Sequence, residues 1–354
     1  MRQTLFTLIL LFIGSITIGQ TTDNYVQSGA EKYMIGCDSL YKAGKINEAK
    51  ECFTNSIPIF GETEWVYYNR AIVKTTLKDY DGAINDYNLS ITINPQLYLP
   101  YIGKAMLQLQ IGNDVTGCIN NMLTAASIRP DKIEIYFPLL NELIHRQYFQ
   151  DAGFFIKEAL EIDSLNYDIH RYSADLEDEQ KHYKDAIAKY NYCIKLNPNR
   201  PDAYYLKGLV YNTKGDHKTA IELYSKSIEL DSNSQTANNA YRDRAFSNTQ
   251  LGLYNESLAD FKKGLSLNPN DPLGYNNIGY AYLMLNKIKE AFENVNKSLE
   301  LDPANSYAFK NLSLIYIHEK DYKNACNNLS KARELKFKDY YGNEVDNLIR
   351  KYCK

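Results

Sequence analysis

An all-helical solenoid of about nine tandem helix-turn-helix units is the fold class that this sequence predicts. Three observations carry it. Small residues recur in two fixed columns, prolines close units at a fixed interval, and breakers are scarce, with 18 Gly and 10 Pro beside 31 Tyr in 354 residues. Pro269 and Pro303 stand 34 apart, while Pro95 and Pro198 stand 103 apart, three such periods plus one residue. A period in this range is the signature of stacked supersecondary units, none of which can bury its apolar stripe alone.

Units of 34 residues start at Ala30, Glu64, Tyr98, Ile133, Tyr167, Pro201, Asn238, Pro272 and Ser306. Their twentieth position reads Ala49, Ala83, Gly117, Ala152, Ala186, Ala220, Ser257, Ala291 and Ala325. Their eighth reads Cys37, Ala71, Ala105, Leu140, Ala174, Gly208, Ala245, Gly279 and Ser313, so Leu140 alone breaks the rule. The first helix of a unit carries apolar residues three and four apart, as in Tyr204, Leu206, Gly208 and Tyr211. A short turn follows, marked by GDH at 215–217, GLY at 252–254 and LKDY at 77–80. In the second helix Ala220, Tyr224 and Ser227 share one face. Small residues at positions 8 and 20 let the two backbones approach, and the aromatic at position 24 fills the remaining space. Proline near position 32 then stops the second helix, since it cannot continue the hydrogen-bond ladder. Unit four is irregular, with Pro138 inside its first helix and 130–138 the best candidate hinge. Gln235–Ala237 reads as a short insertion. Residues 340–354 read as a closing helix whose Val345, Leu348 and Ile349 cover the last stripe.

These columns resemble the tetratricopeptide repeat, over nearly all of residues 30–339. The resemblance implies a right-handed α-solenoid, and a concave groove lined by positions 2, 5, 9, 12 and 13 of each first helix. Carried across, unit two offers Trp65, Tyr68 and Ile72, and unit three offers Leu99, Ile102, Met106 and Leu109. Unit five offers Asp168, Arg171, Asp175, Asp178 and Glu179. Units six and seven add Tyr205, Arg242 and Phe246; unit eight adds Leu273, Tyr280, Leu283 and Met284; unit nine adds Tyr307, Lys310, Leu314 and Ile317. Apolar stretches separated by an acidic patch suit a protein or peptide with hydrophobic anchors and a basic centre. Part of the set serves equally well as packing against the next hairpin. The family's carboxylate clamp needs Lys at position 5 with Asn at position 9, and no unit supplies that pair.

Residues 1–19 read as an export signal: Arg2, then an apolar run from Leu5 to Ile13, then small residues to Gly19. A retained membrane anchor is the alternative, although the run is shorter than the roughly 20 residues of a span. Residues 20–29 form a linker. Export makes the six cysteines relevant, because disulfides persist outside the cytoplasm. Their spacings fit no zinc pattern. Cys37 with Cys52, and Cys326 with Cys353, are the two pairings to test.

A formal net charge of −3 argues against a nucleic-acid partner, which calls for a basic face. No HExxH, phosphate loop or GxSxG elbow occurs, so neither catalysis nor a metal or other cofactor is expected. Five Asn-x-Ser sequons fall inside helices, where glycosylation is not expected. The sequence thus predicts an exported, non-catalytic scaffold of the bacterial cell envelope that binds protein in its groove. An envelope factor that takes a lipid or glycan in the same groove is the alternative.

Overall fold

Six of the second helices stop in the same way. Asn94, Asp163, Asn197, Asp231, Asn268 and Asp302 end them in extended backbone, with φ between −136° and −153°. Four of these residues precede Pro95, Pro198, Pro269 and Pro303, and a residue before proline is driven out of the helical region. The side chains add a second constraint. Asn94, Asp163, Asn197, Asp231 and Asp302 each accept the backbone N–H two residues on, at 3.0–3.3 Å. The Asx turn therefore closes the unit even at Asp163 and Asp231, where serine follows in place of proline.

The computed structural model describes residues 29–353 apart from 61, 62 and 113. The export signal expected at 1–19 lies outside the described residues. Among the described residues nine helix pairs run in chain order: α1 (Gly29–Lys42) and α2 (Ile46–Phe60), α3 (Glu64–Thr76) and α4 (Tyr80–Ile93), α5 (Leu99–Gly112) and α6 (Val115–Ile128), α7 (Tyr136–His145) and α8 (Phe149–Ile162). They continue with α9 (Tyr167–Glu179) and α10 (Tyr183–Leu196), α11 (Pro201–Thr213) and α12 (His217–Leu230), α13 (Gln235–Gln250) and α14 (Tyr254–Leu267), α15 (Pro272–Met284) and α16 (Ile288–Leu301), and α17 (Ser306–His318) and α18 (Tyr322–Glu334). Two short helices close the chain, α19 (Phe337–Tyr341) and α20 (Glu344–Tyr352). No strand occurs among the described residues. The chain divides into two compact units, one ending at Tyr172 and the other starting at Ser173.

Turns within a pair have their own chemistry. Position 15 takes a left-handed φ of 58–79° at Gly44, Lys78, Gln147, Lys181, Gly215, Gly252, Asn286 and Lys320. Asp79, Asp114, Asp216 and Asp321 then cap the following helix by accepting a backbone N–H three residues on.

Packing follows the two small columns. At position 8, Ala71, Ala105, Ala174 and Ala245 are fully buried, as are Ala49, Ala83, Ala152, Ala186, Ala220, Ala291 and Ala325 at position 20. A Cβ on Gly279 would lie 2.5 Å from Val295 Cγ2 and 3.1 Å from the Ala291 carbonyl, so the helices of that pair meet backbone to backbone. On Gly208 it would lie 2.7 Å from the Tyr224 ring. Phe53, Tyr87, Tyr190, Tyr224 and Phe261 occupy position 24 and are buried. Burying a side chain as large as Phe53 contributes roughly 2–3 kcal/mol.

A polar lock joins first and second helix in two pairs, at positions 7, 11 and 23. Arg70 donates to both oxygens of Asp86 at 2.7 Å, and Lys74 reaches the same carboxylate at 2.9 Å. Arg244 grips Asp260 at 2.6 and 2.8 Å, with Asn248 behind it at 3.4 Å. Pair five reverses the charges: Lys189 at position 23 meets Glu177 at position 11, at 2.6 Å.

Two departures from the sequence reading stand out. Gln235–Ala237 is not a loop insertion; it lengthens α13 to 16 residues, with Ser234 as N-cap. Irregular unit four opens with a 3-10 turn at Ile133–Ile135, and Pro138 falls in the first turn of α7, where its missing N–H is harmless. Leu140 there is fully buried. Both cysteine pairings form: Cys37–Cys52 joins α1 to α2, and Cys326–Cys353 joins α18 to the chain end. Cys118 and Cys193 are buried thiols.

Candidate functional site

The candidate face is the one made by groove positions of the odd-numbered helices, and it differs between the two compact units. In the first unit most of its apolar side chains are covered. Tyr68, Ile72, Leu99, Ile102, Met106 and Leu109 are all buried, between 2% and 8% exposed. This corrects their reading as groove contacts. Large apolar side chains on a face shared with neighbouring helices gain more from burial than from waiting for a ligand. Trp65 stays half-buried, edge-on to Tyr68 with ring centroids 6.0 Å apart. Burial pushes the Tyr68 hydroxyl well above its ordinary range, with the hydroxyls of Tyr87, Tyr98 and Tyr41 acting in the same direction.

On α9, Arg171 stacks over the Tyr172 ring at 4.1 Å and lies 3.8 Å from Asp168. These residues belong to the first unit. Asp175, Asp178 and Glu179 belong to the second. Asp175 accepts the Tyr190 hydroxyl at 2.7 Å. Burial pushes Asp178 up to about 6, with Asp175 and Glu179 adding repulsion. The carboxylates thus sit where a positive group would be welcome.

In the second unit the face carries exposed apolar side chains. Phe246 and Leu273 are 43% exposed and Met284 40%. Phe246 sits edge-on to His217, whose Nδ1 lies 2.9 Å from Asn212 Oδ1. Tyr205 is half-buried and donates its hydroxyl to Asp243 at 2.8 Å; burial and that carboxylate raise its pKa. Arg242 is exposed, its Nε 3.4 Å from Asp243. Tyr280, Tyr307, Leu314 and Ile317 are half-buried, while Leu283 is buried.

Lys310 is not a groove cation, and this corrects a second expectation. It is 4% exposed, and its ammonium lies 2.9 Å from Glu344 of α20. The rings of Tyr307 and Tyr280 stand 4.8 and 5.5 Å from it. Burial lowers its pKa, opposed by Glu344.

Sequence reasoning missed a small recess of about 80 Å³ at the lengthened start of α13. Gln235, Asn238 and Arg242 line one wall, and Phe261, Leu265 and Asp271 the others. The extra residues at 235–237 were its only signal. Among the described residues no group of His, Cys, Asp and Glu is arranged to hold a metal ion. Burial pushes the Cys118 thiol up to about 12, far from a nucleophile's range. Among the same residues no helix is long and apolar enough to cross a membrane.

Models of the tetratricopeptide repeat match residues 66–97, 201–234 and 274–305, and a TPR repeat model matches 248–286. The Hsp70-Hsp90 organizing protein 2 of Arabidopsis thaliana is 34% identical over 260 residues, 71% of this chain and 44% of the relative. This chain spans 14% to 53% of the length of the curated relatives it matches. Two solved structures share the fold. A tetratricopeptide repeat protein from Parabacteroides merdae is 20% identical, covers 73% of this chain and 99% of its own, and has a TM-score of 0.51. The pilF protein of Pseudomonas aeruginosa is 15% identical, covers 63% and 97%, and has a TM-score of 0.53.

Proposed function

Because this chain is a tetratricopeptide repeat protein, we propose that it is a non-catalytic scaffold that binds a protein or peptide on its first-helix face. One observation carries the reading. Phe246 stands 43% exposed at position 9, where Ile72 and Met106 of the first unit are 6% and 8% exposed, and Leu273 and Met284 stand 43% and 40% exposed at two further groove positions. Exposed apolar side chains at specified positions serve as anchors for a partner. A relative whose name makes it an organizer of Hsp70 and Hsp90 supports the scaffold role. The partner has hydrophobic anchors and a basic stretch that answers Asp178 and Glu179.

The protein is exported and works in the bacterial cell envelope. Support comes from the apolar run at 5–13 and from two disulfides, which persist in oxidising compartments.

The test is a peptide array probed with the chain from Gln20 onward. Peptides with apolar anchors around Lys or Arg should bind. Phe246→Asp and Met284→Asp should each weaken them at least tenfold, and Asp178→Asn/Glu179→Gln should remove the preference for basic centres. Unchanged binding by the Asp variants would overturn the site. Binding of acyl chains or glycans in place of every peptide would overturn the partner class.

A further inference from the structure

The last helix is held at both ends. Glu344, its first residue, pairs with Lys310 of α17 at 2.9 Å. Cys353, just past its last residue, is bonded to Cys326 near the start of α18. Between these clamps, Val345 is buried, and Leu348 and Ile349 pack on the cluster of Leu329, Ala332 and Phe337. Tyr352 stacks on Tyr322 with centroids 5.8 Å apart.

Little else would keep it there. A helix of 9 residues is too short to be stable by itself in water. It follows Gly342 at φ 79°, ψ −160°, a backbone state that residues with a Cβ rarely adopt. Three apolar contacts, one ring stack and one ion pair must fix a terminal segment, which is where chains come loose first. Lys310 depends on the same docking, because Glu344 closes off an ammonium whose side chain is only 5% exposed.

We propose that α20 is a redox-operated cap: the Cys326–Cys353 disulfide keeps it docked on pair nine, and a dithiol reductant releases it and uncovers Lys310. In the step, a thiolate of the dithiol attacks one sulfur and the Cys326–Cys353 bond breaks. The second thiol of the reductant resolves the mixed disulfide. Two electrons and two protons pass to Cys326 and Cys353, and the reductant leaves as its cyclic disulfide.

The experiment compares the oxidised chain, the same chain in dithiothreitol, and Cys326→Ser/Cys353→Ser, which leaves Cys37–Cys52 intact. Two readouts are taken by peptide mass spectrometry: amide hydrogen exchange across 344–352 and acylation of Lys310 by an amine-reactive ester. Both should rise at least tenfold in the reduced chain and in the variant, with amides of 201–305 unchanged. Reoxidation of the wild type should restore protection. Equal protection of 344–352 in oxidised and reduced chains would overturn the proposal. So would a loss of protection that spreads through 201–305 together with 344–352, since the bond would then support the whole unit. If the variant does not fold, the comparison of wild type with and without reductant decides alone.

Discussion

Replacing Arg70 by Met tests whether the polar lock of pair two holds its helices together. Asp86 is fully buried and Arg70 14% exposed, so the guanidinium is nearly all that neutralises the carboxylate besides Lys74. Methionine keeps an apolar stem in place and removes two charge-assisted hydrogen bonds of 2.7 Å. Breaking one side of a buried pair costs about 3–5 kcal/mol. Lys74 stays at 2.9 Å, which places the variant near the low end, about 3 kcal/mol or two orders of magnitude in the opening equilibrium. Repeat arrays do not unfold in one step, so the assay is native-state hydrogen exchange read on peptides from 64–93. Arg70→Met/Lys74→Met/Asp86→Leu removes every charge of the lock and should return to within about 1 kcal/mol of the wild type. Arg244→Met, on a pair that is 21% and 9% exposed, should cost less than Arg70→Met. A cost below about 1 kcal/mol for Arg70→Met, or a triple variant as unstable as the single one, would refute the reasoning.

Three further outcomes follow. Lys78→Gly and Lys320→Gly relieve a left-handed backbone near φ 62° and should each stabilise by about 0.5–1 kcal/mol, read as a raised urea midpoint. Gly279→Ala forces a methyl against Val295 and the Ala291 carbonyl and should cost about 1–3 kcal/mol in the same assay, whereas Gly36→Ala meets nothing within 4 Å and should cost nothing. Asp178 has its pKa raised in the folded state to about 6, so between about 4 and 6 the folded chain binds more protons than the unfolded one. Stability should therefore gain from acidification across that window, and Asp178→Asn should remove this gain and raise Tm at pH 7.

Where each helix begins was largely legible. Glu64, Tyr167, Pro201, Pro272 and Ser306 open both a repeat and a helix, and before the last three an asparagine or aspartate followed by proline leaves the preceding helix no way to continue. The residues at 235–237 misled for a geometric reason. Three residues turn a helix by nearly one full revolution, so they extend α13 without moving its apolar face out of phase. Position 15 was illegible in Lys78, Lys181 and Lys320, since lysine announces no left-handed turn. The face was the hardest part to read. Spacing puts Met106 and Phe246 on the same position 9, yet the first is 8% exposed and the second 43%. That outcome depends on how closely neighbouring helices approach, which a single unit's pattern does not encode. Lys310 looked like a groove cation because its counter-ion comes from Glu344, beyond the repeats.

The asparagine–proline joints also bear on how the chain ages. Asparagine degrades when the next residue's backbone nitrogen attacks its side-chain carbonyl and closes a five-membered imide. Proline has no N–H to lose. Asn94, Asn197 and Asn268 are thereby spared that ring closure, and Asp302 is spared the matching isomerisation, at the very turns that separate one helix pair from the next. Asp163 and Asp231 are followed by serine and have no such protection. Slow chemical damage to the joints of this array thus concentrates at two places, after pair four and after pair six.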